Sequence, residues 1–247
     1  MSWPPAYVAN ATSRNPGPVL KELGLENVTF HRPPLDPESG KRGCFHAHKY
    51  MIEQFLATAH PLALFFEDDV VLSPYRDEKV CLAVLQERLD RRPNSEEWDM
   101  LLLGYSLNTT ANWKLDGRRL FPVKKFWATH AYALTREGAK KVHALLEWRG
   151  QDIDRQISEL GKNLRIAALN PSVMYQSAGA STILPSRLSK LREVLFAHNN
   201  GITAHRAIEM CTASAMPVTL TLVCFVLLLV ALVWFTVSGL KRAVRVG

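Results

Sequence analysis

Leu62–Phe66 is an unbroken apolar run that ends on three adjacent carboxylates, Glu67, Asp68 and Asp69. A strand with one wet face alternates apolar and polar residues, and this stretch does not. It follows directly on an amphipathic segment, "CFHAHKYMIEQFLATAH", which carries Phe45, Ile52, Phe55, Leu56 and Ala59 at helical spacing. A short, wholly apolar segment behind a helix suits a central parallel strand covered on both faces. The chain is thereby constrained to an α/β architecture, and the acids fall at a strand's carboxyl end, where ligands sit in open α/β sheets.

The rest of the chain repeats that alternation. "AYVAN" and "NVTFHR" read as strands around a short helix, "PVLKELGL", ended by Gly24. "EKVCLAVLQERL" reads as a helix leading to a second apolar run, "WDMLLLGYS". "FWATHAYALT" reads as one strand, and "REGAKKVHALLEWRG" as a helix capped by Thr135 and stopped by Gly150. A short helix over "DIDRQISELGK" and one or two strands within "LRIAALNPSVMYQS" complete a mostly parallel sheet. The chain's 247 residues, 47% hydrophobic and 21% charged, suffice for one such domain and exclude global disorder.

Pro217–Gly239, "PVTLTLVCFVLLLVALVWFTVSG", has no charged residue and is long enough to cross a bilayer. Trp234 and Phe235 near one end, followed by Lys241, Arg242 and Arg245, match an interfacial belt and a basic flank. The expected organisation is a catalytic domain over 1–184, a polar, partly helical connector over 185–216, a transmembrane helix over 217–239 and a basic tail over 240–247. The opening residues "MSWPPAYVANATSR" lack the basic and apolar regions of a signal peptide, which favours a tail anchor with the domain in the cytosol. Sequons at Asn10, Asn27 and Asn108 leave a lumenal domain open.

The formal net charge of +7 favours anionic partners such as phosphates and nucleotide diphosphates. Nucleic acid is not expected: Lys124-Lys125 and Lys140-Lys141 are isolated pairs on solvated faces, with no basic stripe interleaved with aromatics. Cys44, Cys81, Cys211 and Cys224 are widely scattered and read as buried free thiols, not as a metal set.

Adjacent carboxylates at a strand end raise one another's pKa unless a cation neutralises them. A hard divalent ion, Mg²⁺ or Mn²⁺, takes such carboxylates and completes its shell with water and phosphate oxygens. The plainer alternative is a solvated turn or a helix cap. His46 and His48 on the preceding helix are either structural or turned toward the strand end. Asp152 and Asp154 open a helix, as caps or, for Asp154, as a general base.

In collinear order from about Ala6 to Ser181, these blocks resemble glycosyltransferase family 25, the lipooligosaccharide and procollagen galactosyltransferase-like enzymes. "YVANATSR" resembles the family's opening Asn-x-x-x-Arg loop, and "GCFHAHKYMIEQFL" its Gly-Cys-x-x-Ser-His helix start, with Ala47 where the family has serine. "ALFFEDDVVL" resembles its Glu-Asp-Asp metal element, and "WDMLLLGYS", "AYALTREGAKKV", "DIDRQI" and "PSVMYQSAGAS" resemble the later blocks. The resemblance implies a GT-A-like nucleotide-sugar-binding domain with Mn²⁺ or Mg²⁺ at Glu67 and Asp69 and Asp68 between them. It implies Asn10, Arg14 and His48 on the nucleotide-sugar side and Asp154 as the base on the acceptor side. The implied reaction moves a hexose, galactose or glucose, from a UDP-sugar to a hydroxyl of a glycan, glycolipid or protein. Two alternatives stay open: a catalytically degenerate membrane-tethered binding module, and a metal-dependent phosphoester hydrolase.

Overall fold

The computed structural model describes residues 3–10, 14–33, 36–72, 98–105, 107–109, 120–161, 163–169 and 172–177. The expected helix over "EKVCLAVLQERL", the connector and the Pro217–Gly239 segment lie outside the described residues. Among the described residues no helix is long and apolar enough to cross a membrane.

In chain order the elements are β1 (Ala6–Ala9), α1 (Gly17–Glu22), β2 (Val28–His31), α2 (Gly40–Leu56), β3 (Leu62–Glu67) and β4 (Val70–Leu72). Then come β5 (Met100–Gly104), β6 (Leu107–Thr109), β7 (Leu120–Pro122), β8 (Lys125–Trp127) and β9 (Ala131–Thr135). The last are α3 (Arg136–Leu145), α4 (Ile153–Glu159), β10 (Ile166–Leu169) and β11 (Met174–Gln176). A seven-stranded sheet has the order β2-β1-β3-β9-β5-β10-β7, and β11-β4 and β6-β8 form two small ribbons. Five strands of the large sheet, β2, β1, β3, β5 and β10, share one direction, and β9 and β7 oppose them.

The sheet is therefore mostly parallel, but β9 enters antiparallel between β3 and β5. The apolar run behaves as its composition demands. Ala63 and Phe65 enter a core shared with α2, α3 and α4, while Leu62, Leu64 and Phe66 enter a second core on the opposite face. Leu20 of α1 and Val173 and Met174 belong to that second core. Tyr7, Phe65 and Tyr132 stack across β1, β3 and β9 at centroid distances of 5.6 and 5.0 Å.

Two boundaries depart from expectation. "FWATHAYALT" is not one strand. It breaks at Ala128, which adopts φ of 73°, a left-handed conformation that an alanine holds only against steric cost. The helix beginning at Arg136 stops at Leu145, before Gly150: Leu146 turns extended to bury its side chain, and Lys49 Nζ donates to its carbonyl at 3.1 Å. The N-cap is as expected, with Thr135 Oγ1 accepting from the Gly138 N–H at 3.0 Å.

Candidate functional site

The carboxyl ends of β1 and β3 lie side by side, since Ala9 pairs with Glu67. Asn10 follows β1 directly, buried, with its backbone N–H donating to the His31 carbonyl at 2.7 Å. Asp68 and Asp69 form the two-residue turn from β3 into β4, and both are buried rather than projected into solvent. Arg14, arriving from the loop after β1, pairs with Asp69 through Nη1 and Oδ2 at 3.2 Å. The Ser177 N–H donates to the Asp69 carbonyl at 2.6 Å, tying down the turn.

Glu67 is held on both oxygens. Thr129 Oγ1 donates to Oε1 at 3.0 Å, and Gln176 Nε2 donates to Oε2 at 3.4 Å. His48 Nε2 lies 3.3 Å from Oε1, and its Nδ1 lies 2.9 Å from the Tyr132 hydroxyl. Burial alone would push the Glu67 carboxyl up. The His48 hydrogen bond, the charges of His48 and His130 and the Thr129 hydroxyl outweigh it and hold the group below its ordinary range. The helix α2 starts at the sheet's carboxyl end, which brings its His48 to Glu67; the placement of β9 supplies Thr129 and Tyr132.

Asp154, in the first turn of α4, joins this cluster through the same connection that carries Thr129. The Ala128 N–H donates to Asp154 Oδ2 at 2.8 Å, and the Arg155 N–H to Oδ1 at 2.6 Å. Burial raises the Asp154 pKa, and the charges of Asp152 and Glu67 add to it against those two backbone donors. Such a carboxyl is poised to take a proton nearer neutrality than an exposed one does. The left-handed Ala128 aims its N–H at this carboxylate, a strained residue at a polar site. Asp152 occupies the N-cap position without making a side-chain cap and pairs instead with Lys41 Nζ at 3.0 Å.

The structure thus pairs Arg14 with Asp69 and His48 with Glu67 by direct contact. It places Asn10 and Asp68 at the same strand ends and links Asp154 through Ala128 and Thr129. Ala47 lies in the apolar core shared by α2, so its methyl meets packing rather than the polar side chains at the strand end. Cys44 is a free thiol, as expected, and is half-buried. It lies one helical turn before His48, and its Sγ, the histidine nitrogen and the Glu67 carboxylate oxygen fall within 4.8 Å of one another. Burial, then the charges of Glu67, Asp154 and Asp69, push the Cys44 thiol well up, while burial with Glu67 and Cys44 does the same to the Tyr132 hydroxyl.

The chain itself contained a signal for Cys44, a Cys-x-x-x-His spacing on a helix, which sets both side chains on one face. Thr129 and Tyr132 carried none, because their contact with the site depends on the antiparallel pairing of β9.

No protein-family model and no curated protein sequence matches the chain. Among solved structures, the STIV protein A197 is similar at 14% identity and a TM-score of 0.43, covering 70% of this chain and 83% of that one. A glycosyltransferase involved in the glycosylation of the major capsid of PBCV-1 is similar at 12% identity and a TM-score of 0.44, covering 76% and 99%. CMP:2-keto-3-deoxy-manno-octonic acid synthetase complexed with CTP follows at 13% identity and 0.39, covering 79% and 98%. Likeness this loose bears on none of the residues above and says nothing of what the present chain binds.

Proposed function

We propose that this chain is a glycosyltransferase that moves a hexose from a UDP-sugar to a hydroxyl of a glycan, glycolipid or protein. The observation that carries the reading is the juxtaposition of a buried acid turn at the end of β3 with a further, half-buried carboxyl, Asp154, across the Ala128–Thr129 connection. Transfer from a sugar diphosphate needs two things at once: a cationic grip on the leaving diphosphate and a base for the attacking hydroxyl. Phosphoester hydrolysis also needs a base for its attacking water, so the two readings separate on the product, UDP from a sugar donor against a cleaved phosphoester.

The donor set fits a hard divalent ion, since Glu67 and Asp69 offer oxygen ligands beside a third carboxylate, Asp68. Mn²⁺ or Mg²⁺ held by Glu67 and Asp69 would supply the positive charge that the departing diphosphate requires. Arg14 brings a fixed guanidinium to the same strand end, suited to phosphate oxygens. Asn10, just past the carboxyl end of β1, would face the nucleotide sugar, and Thr129, Gln176 and His48 hold Glu67 in one orientation. Asp154 would accept the proton of the acceptor hydroxyl as that oxygen attacks the anomeric carbon. The Pro217–Gly239 segment would anchor the domain to a membrane, on the cytosolic side.

The test is a screen of UDP-sugars for Mn²⁺-dependent release of UDP, with Asp69→Ala in parallel. Removing that carboxylate is expected to lower release at least ~100-fold, in keeping with the loss of one charge-stabilising group. Release by Asp69→Ala at the parent's rate would overturn the site. UDP binding without release or transfer by the parent chain would instead identify a binding module.

A further inference from the structure

Cys44 and His48 project from one face of α2, one turn apart, toward the Glu67 carboxylate at the end of β3. Their three donor atoms lie within 4.8 Å of one another, and His48 Nε2 and Glu67 Oε1 are 3.3 Å apart. Two ligands on a tetrahedral ion with bonds of about 2.0 Å are separated by about 3.3 Å, so this edge needs little adjustment. A thiol, an imidazole and a carboxylate form the mixed set that zinc takes, whereas Mg²⁺ and Mn²⁺ avoid sulfur.

The shell behind the donors is also built. Tyr132 Oη stands 2.9 Å from His48 Nδ1, so a protonated Nδ1 donating to it would leave the Nε2 lone pair facing Cys44 and Glu67. Thr129 Oγ1 fixes Glu67 Oε1 at 3.0 Å. Tyr132 is itself immobilised by stacking on Phe65 at 5.0 Å. His48 is fully buried, and Cys44 and Glu67 are half-buried, with 19% of the Glu67 side chain exposed.

We propose that Cys44, His48 and Glu67 form a binding site for zinc(II) or an ion of the same thiophilic class, separate in chemistry from any Mg²⁺ or Mn²⁺ used in catalysis. Binding exchanges the Cys44 S–H bond for a sulfur–metal bond and releases one proton to solvent. The fourth position on the ion is left for water. Because Glu67 belongs to both ligand sets, zinc here competes with the diphosphate-binding ion, a consequence that rests on the transferase reading; the zinc site itself does not.

The test uses the full chain in detergent with Co²⁺ alone, without nucleotide, so its failure is distinguishable from failure of the transferase reading. The expected result is a thiolate-to-cobalt charge-transfer band with the visible bands of a tetrahedral ion, both abolished by stoichiometric Zn²⁺. Cys44→Ser should remove the charge-transfer band and weaken Zn²⁺ binding at least 10-fold, while Cys81→Ser leaves both unchanged. Tyr132→Phe should retain the band with ~10-fold weaker affinity, as loss of a group supporting a ligand does. Thermal melting of each variant without metal shows that it is folded. A band that survives in folded Cys44→Ser, or a folded parent chain that gives no band, overturns the proposal.

Discussion

Asp154 is the residue on which the proposed chemistry turns. Its side chain accepts two backbone hydrogen bonds yet still titrates above its ordinary range, because burial outweighs them. A carboxyl whose folded-state pKa is raised opposes folding when ionised, so its contribution to stability falls as pH rises from the ordinary aspartate value through the raised one. Asp154→Asn keeps an acceptor for the Ala128 N–H and removes the charge. We expect it to melt no lower than the parent at neutral pH, with any advantage vanishing in acid. Its transfer rate should fall at least ~100-fold, the scale of a lost general base. In the parent, kcat/KM should decline as pH drops through the raised pKa, and Asp154→Asn should lose that limb. A variant with full activity and an unchanged pH profile would remove Asp154 from the chemistry.

At the scale of elements, the junction of β5 with α3 shows how closely the layers meet. Asp99 is buried just before β5, pairs with Arg165 and Lys141 at 3.0 and 2.9 Å, and accepts the Thr135 N–H on its carbonyl. Burial works to raise its pKa, but these basic partners and the Arg165 N–H hold it below the ordinary value. Gly138 in the first turn of α3 presses on the same backbone: a Cβ there would meet the Asp99 carbonyl oxygen at 2.2 Å. Helix propensity alone makes Gly138→Ala stabilising by about 1 kcal/mol. Contact with fixed backbone reverses the sign, and we expect a net loss of about 2 kcal/mol by denaturant unfolding. An unchanged midpoint would mean that α3 packs loosely enough on β5 to admit the methyl group.

At the scale of the whole molecule, the proposed membrane anchor makes a prediction about the side the domain occupies, and the sequons at Asn10 and Asn27 differ in what they report. Asn10 is buried at the strand ends and has no room for a glycan, whereas Asn27, between α1 and β2, is exposed. Asn27 is therefore the informative position. With the domain in the cytosol, the chain expressed in eukaryotic cells should show no glycosidase-sensitive shift in mass. A shift abolished by Asn27→Gln would place the domain in the lumen.

Much of this was legible in the chain. The unalternating Leu62–Phe66 run required cover on both faces, and both cores are present. The acids at its end marked a strand terminus because like charges cannot continue into a core, and the Thr135 cap was a local side-chain-to-backbone matter. Such features depend on residues near one another along the chain. The antiparallel entry of β9 does not, nor do Thr129 and Tyr132 arriving at Glu67 and His48, the left-handed Ala128 that reaches Asp154, or the meeting of Cys44 with Glu67 at the end of β3. Periodicity reports which face of an element is apolar but not which strand lies beside it or in which direction. Strand neighbours are chosen by packing over long separations, and it was that choice which brought an acid, a histidine and a thiol into one cluster.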